Sequence, residues 1–131
     1  MRIPGLRLAP EIEALPWLAT SAPGVSWLPL RQEDMGSSGR RRAGGTVLIH
    51  MDPGSGYAPH RHVGSEDVLV LQGGYRDEQG EYRQGDHVHY SPGSEHTPVA
   101  LGDPRQPPGT GNPACILYTV VPLGIELLER R

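Results

Sequence analysis

The chain has no phenylalanine and no lysine, and it has a single cysteine, Cys115. One cysteine excludes an internal disulfide and any zinc site that needs two thiolates. All 12 basic residues are arginine, which reads as a codon or thermal bias rather than as chemistry. The formal net charge of −3 gives no electrostatic reason to expect nucleic-acid binding. No apolar run approaches the length that spans a bilayer, and the N-terminus carries no basic-then-apolar export pattern. A soluble, cytoplasmic protein is the expectation. No helical period of useful length is present, and no coiled coil.

Glycine and proline are abundant instead, at 18 and 14 of 131 residues. They imply many turns and short elements, and the length suits one domain with one core. Residues 1–30 are broken by proline into pieces too short for one long helix. Residues 11–15 fit a single helical turn, and 25–30 fit a first strand with Val25, Trp27 and Pro29 on one face. Trp17 and Trp27 read as closing one end of the core. Residues 31–45 are polar and Gly-rich and read as an exposed hairpin or loop. The arginines at 40–42 within it read as solvated.

From Thr46 onward the pattern is one of strands separated by turn signals: 46–51, 67–72, a hairpin over 75–83, then 86–91, 96–101 and 115–121. The 115–121 run is apolar without clean alternation, which implies burial on both faces or pairing in a closed sheet. Residues 125–131 fit a last strand or a fraying helical turn. The sum is an all-β sandwich or barrel.

The chemistry concentrates in residues 54–73, GSGYAPHRHVGSEDVLVLQG, and 85–96, GDHVHYSPGSEH. In a strand, residues i and i+2 share a face, so His60 and His62 point one way and Arg61 the other. Glu66 stands at the start of the next strand, where its carboxylate reaches back toward the same centre. His96 has to arrive from a neighbouring strand. These four residues are expected to converge on one divalent metal ion. Two imidazoles and a carboxylate leave open positions on an octahedral ion, the arrangement used in oxygen and substrate chemistry, and a third imidazole still leaves two.

Other candidates read as structural. His87 and His89 form a second HxH, but Val88 and Tyr90 are the better core residues, which turns both histidines outward. His50 reads as a packed or hydrogen-bonded histidine, and Cys115 as a small core hydrophobe. Tyr57 and Tyr118 are candidates for the cavity wall or the core. Glu95 is a candidate support for His96, although neighbours on a strand face apart. Arg41 and the 102–113 loop are candidates for a rim.

At this point the sequence resembles a family. Gly54, five residues, His60-Arg61-His62, three residues, Glu66, six residues and Gly73 fit the first cupin motif without a gap. In the second motif Gly85, Gly93 and His96 fall in register. Ser91 stands where the pattern has Pro, with Pro92 one later, and Ala100 replaces an Asn that is not a ligand in the family. The resemblance spans residues 46–121. It is closest to the ChrR-type cupin group, which includes the cupin half of a bacterial anti-sigma factor and small dioxygenases of diketones and hydroxyaryl ketones.

The resemblance implies a single-domain cupin, a double-stranded β-helix or jelly-roll barrel with the metal inside its mouth. Residues 1–45 would be an N-terminal strand extension and loop, 46–121 the barrel motifs, and 122–131 a tail. It implies His60, His62, Glu66 and His96 as ligands of Fe(II) or Zn, with Mn or Ni as alternatives, and a homodimer. The anti-sigma factors carry an N-terminal zinc-binding helical domain that this sequence lacks, so direct sigma-factor binding is not expected. Diketone dioxygenases of this type use three histidines, so Glu66 as a fourth ligand sets this sequence apart. The leading expectation is a metal-dependent dioxygenase of a small ketone, diketone or phenolic compound, with Glu66 as ligand or base. The alternatives are a non-catalytic zinc-binding sensor or small-molecule-binding module, whose four ligands fill a tetrahedral ion, and a metal-dependent isomerase or lyase.

Overall fold

The computed structural model describes residues 2–3, 10–32, 41–42 and 44–128. Strands dominate it. A 3-10 turn, Pro10–Ala14, comes first, followed by β1 (Leu18–Ala19), β2 (Val25–Gln32), β3 (Arg41–Arg42), β4 (Gly45–Met51), β5 (His60–His62) and β6 (Glu66–Gln72). Then come β7 (Gly74–Asp77), β8 (Gly80–Arg83), β9 (His87–Tyr90), β10 (Glu95–His96), β11 (Val99–Ala100), β12 (Cys115–Val121) and β13 (Ile125–Leu127). No helix among the described residues is long and apolar enough to cross a membrane.

A six-stranded sheet runs β1-β2-β4-β12-β6-β9, a four-stranded sheet runs β10-β5-β13-β3, and a three-stranded sheet runs β11-β7-β8. Together they form the barrel that the turn spacing anticipates, in the jelly-roll form that the cupin resemblance implies. β12 lies at the middle of the large sheet, paired antiparallel with β4 and β6. Its inward residues Leu117, Thr119 and Val121 line the interior.

The outer face of β12 explains why its sequence does not alternate. Ile116 sits opposite His50 on one side and Gln72 on the other. Both of those residues reach the N-terminal turn. His50 Nε2–H donates to Glu13 Oε2 at 2.8 Å, and Gln72 Nε2 donates to Glu13 Oε1 at 3.3 Å. Trp17 packs on His50 with ring centroids 5.1 Å apart. Ile116 beneath this clasp is fully buried, which contributes about 1.5–3 kcal/mol. Tyr118, two residues on, lies beyond the clasp and is exposed. It is neither cavity wall nor core, contrary to the expectation.

Several boundaries sharpen. β2 pairs antiparallel with β4 along nearly its whole length. Most of the 31–45 segment, Arg40 included, lies outside the described residues, but Arg41–Arg42 runs as a strand beside β13. The single strand expected over 96–101 is two. β10 pairs with β5, whereas β11 pairs with β7 in another sheet. Pro98 between them has no N–H for a ladder, and its carbonyl accepts from Tyr57 N–H at 3.1 Å. Of 125–131, residues 125–127 are β13 and 129–131 lie outside the described residues.

Gly73 joins β6 to β7 at a φ of 65°. A Cβ there would also come within 2.7 Å of the Ala114 carbonyl oxygen, a backbone atom that cannot swing away. Gly73→Ala is therefore expected to cost about 1–3 kcal/mol of stability by urea denaturation. A loss below about 0.5 kcal/mol, the level of an ordinary surface change, would contradict this account of the motif glycine.

Candidate metal centre

β5 is only three residues long, and its alternation is complete. His60 and His62 are buried on the inner face, and Arg61 is exposed on the outer face, paired with Glu126 of β13. β10 lies antiparallel to β5 with His96 directly across from His60. Glu66 opens β6, four residues after His62. All four sequence-predicted residues are buried, and their ligand atoms lie within 4.8 Å of one another. His60 Nε2 and His96 Nε2 are 2.8 Å apart, and Glu66 Oε1 is 3.0 Å from His62 Nε2.

The shifted second motif has a local explanation. Ser94 N–H donates to Ser91 O at 3.1 Å, Pro92 fixes the first corner, and Gly93 takes a φ of 84°. Residues 91–94 are thus a type II turn. That turn is bonded to β5: Gly93 N–H donates to His62 O at 2.7 Å, and His62 N–H to Ser94 O at 2.9 Å. Moving the proline by one residue leaves His96 in register because the turn, not the motif spacing, sets the geometry.

Each imidazole is held through Nδ1. His60 Nδ1–H donates to the Ala58 carbonyl at 2.9 Å. Ser94 Oγ gives its proton to Ser91 O at 2.6 Å, so it accepts from His62 Nδ1–H at 2.9 Å. His96 Nδ1–H donates to Asp77 Oδ2 at 3.0 Å. With the proton on Nδ1, all three Nε2 atoms present lone pairs to one point. His62 Nε2 is buried with no hydrogen-bond partner. The close approach of His60 and His96 sets two lone pairs against each other unless a cation stands among them. A proton serves poorly, because burial, reinforced by His96, pushes His60 down to about 4. The donor set therefore fits a metal ion: three neutral imidazoles oriented by outer hydrogen bonds, and one carboxylate.

Behind His96 lies a buried polar chain. Tyr90 O–H donates to Asp77 Oδ2 at 2.6 Å, which leaves the Tyr90 oxygen to accept from Tyr75 O–H, also at 2.6 Å. Burial pushes both phenols far above the ordinary tyrosine range, so both stay protonated. For Asp77, burial acts to raise the carboxyl, but hydrogen bonds from Tyr90, His96 and Gln79 outweigh it and hold the group below its usual range.

Beside the cluster is a cavity of about 390 Å³. Val25, Trp27, Ile49, Met51, Val68 and Leu117 make its apolar wall, and His60, Glu66 and His96 its polar end. Among the described residues no arginine lines it. Tyr57 reaches it, as expected. The 102–113 loop does not, because Asp103 and Asn112 tie that loop to itself. The Arg41 side chain lies outside the described residues.

His87 and His89 point outward, and both donate to Asp67 Oδ1, at 3.0 and 2.9 Å. His50 is hydrogen-bonded to Glu13. Cys115 is fully buried, which pushes its thiol up to about 12. Glu95 is exposed on the face opposite His96, so it does not support that ring. Asp77 does so instead. Sequence reasoning missed Asp77 and Ser94, since each reads as an ordinary turn residue.

Compared with known proteins, residues 7–105 match the ChrR cupin-like domain family. The match begins well before Thr46, the start of the resemblance read from the motifs. The solved structure of Rhodobacter sphaeroides SigE in complex with the anti-sigma ChrR is similar at 28% identity and a TM-score of 0.62. That alignment covers 84% of this chain and 50% of the other, so this chain spans about half the length of its counterpart. An acetylacetone dioxygenase from Acinetobacter johnsonii shares the fold at 16% identity and a TM-score of 0.60, covering 81% of this chain and 64% of the other. A putative acetylacetone dioxygenase from Methylibium petroleiphilum does so at 15% and 0.66, covering 94% and 81%. No curated protein matches.

Proposed function

The chain belongs to the ChrR cupin-like family, and from that premise we propose that it is a metal-dependent dioxygenase of a small, uncharged ketone, diketone or phenolic compound. The observation that carries the reading is the joining of three convergent Nε2 lone pairs to an apolar cavity. His60, His62 and His96 would hold a divalent ion, Fe(II) in this reading, with Glu66 as the fourth ligand. Such an ion supplies Lewis-acid and redox chemistry toward oxygen and a chelating substrate.

The protein's own contribution is positioning. Among the described residues the cavity wall is apolar and carries no arginine, so it favours a compact neutral body over an anion. His60, Glu66 and His96 line the cavity, so a ligand's oxygen atoms are drawn to the metal end. Glu66 stands where the cluster meets the cavity. One carboxylate oxygen faces His62, and the group is placed to take a proton from an enol or phenol as the substrate seats.

A second reading has one observation in its favour. All four ligands are buried, which suits a closed His3Glu zinc site in a binding or sensing module. The likeness to the structure of ChrR with SigE is compatible with it. Metal content decides between the two. Natively purified protein is expected to hold about one ion per chain, and the Fe(II)-loaded form to consume oxygen with one or more members of a ketone and diketone panel. Full zinc occupancy with no oxygen uptake would overturn the dioxygenase reading.

A further inference from the structure

Asp77 lies at the end of β7, in the tip of the β7–β8 hairpin, and its side chain is fully buried. Both carboxylate oxygens are committed. Oδ1 accepts the Gln79 N–H at 2.9 Å and closes the turn. Oδ2 accepts from His96 Nδ1–H and from Tyr90 O–H. Next to it, Glu78 Oε1 accepts the Thr97 N–H at 3.0 Å. The hairpin tip therefore grips the short β10 segment twice, once by the ring of His96 and once by the backbone beside it.

β10 needs such a grip. It is two residues long and its ladder is to β5. His96 would be the one ligand of the four that does not come from the continuous 60–66 stretch. Resting on the metal site proposed above, we infer that Asp77 is the positioning residue for His96. It fixes the proton on Nδ1 and the ring's orientation, so that Nε2 is delivered as a ligand. The Tyr75–Tyr90 pair completes the device. Its hydroxyl protons run one way, toward Asp77, so Oδ2 stays an acceptor.

Asparagine at 77 tests this chemistry at nearly constant shape. An amide offers one acceptor and one donor. With its oxygen toward His96 and Tyr90, its NH2 faces the Gln79 N–H. Reversed, its NH2 faces His96 and pushes that ring's proton onto Nε2, where the lone pair is needed. Asp77→Asn is expected to weaken Zn²⁺ and Co²⁺ binding by roughly 10–100-fold in chelator competition. The visible spectrum of the Co²⁺ form should shift as well. Glu78→Ala removes only the backbone grip and is expected to leave that spectrum unchanged. If Asp77→Asn fails to fold, Tyr90→Phe takes its place, with a smaller loss of affinity and a spectral shift expected.

The outcomes separate cleanly. Wild-type protein that binds neither ion would overturn the metal site itself. Wild-type binding with unchanged affinity and spectrum in Asp77→Asn would overturn the positioning role alone. Equal losses and equal spectral shifts in Asp77→Asn and Glu78→Ala would also overturn it, since the hairpin would then act only as a general support.

Discussion

A chain with His60→Ala and His62→Ala together is expected to come through desalting with no metal, while circular dichroism still reports the wild-type strand content. The two rings provide two of the three convergent Nε2 atoms. Removing them leaves His96 and Glu66, from different strands, with no common geometry. The loss of affinity should exceed the roughly 10–100-fold attached to an outer hydrogen-bond partner, because the ligands themselves are gone. Folding should survive, since the hydrophobic cluster of Val68, Val70, Tyr75, Tyr90 and Leu117 is untouched. Alanine at both positions also relieves a real cost. His62 Nε2 is buried without a hydrogen bond, and a polar atom in that state costs about 1–3 kcal/mol. In metal-stripped protein this relief offsets part of the packing and hydrogen bonding lost with the two buried rings. A double variant that keeps its ion would overturn the site assignment.

Acid is expected to loosen the metal-stripped protein before any depressed carboxylate titrates. His60 has an ordinary value of 6.5 and is pushed down to about 4 in the folded chain, first by burial and then by His96. Between those values the unfolded chain holds a proton that the folded chain refuses. The contribution of this group to stability is complete above about pH 6.5, falls as the pH drops, and levels off near pH 4. The gap corresponds to about 3 kcal/mol. Asp67 and Asp77 have folded values below the ordinary 3.8. Their stabilisation is present above that value and is lost beneath it, outside the His60 window. Urea denaturation of chelator-treated protein at several pH values between about 7 and 4.5 checks the prediction. A flat profile across that range would sink it, and His60→Gln should show a smaller loss than wild type.

The clustering of His60, His62, Glu66 and His96 was legible in the sequence for a simple reason. Three of the four lie within seven residues, and strand geometry alone decides that His60 and His62 share a face. The strands were legible because turn chemistry brackets them. What was hidden depends on distance in the chain. Asp77 looks like a hairpin-tip aspartate and is one, since Oδ1 closes the turn; that Oδ2 holds a histidine 19 residues later is a matter of packing. Ser94 is likewise a turn residue whose hydroxyl meets a ring 32 residues earlier. The misplaced Tyr118 shows the converse. An apolar strand says that both faces are covered somewhere, but only the folded chain shows that the N-terminal clasp stops at Ile116.

The order of synthesis separates β5 from β13. β13 is the far neighbour of β5, with Leu127 opposite His60 and Ile125 opposite His62. Its Glu126 pairs with Arg61 across 65 residues of sequence. A chain leaving the ribosome has both HxH histidines outside long before this flank exists, and His96 emerges between the two events. In the growing chain β5 thus gains β10 as one neighbour well before β13 closes its other edge, and a chain stalled short of β13 would leave that edge open.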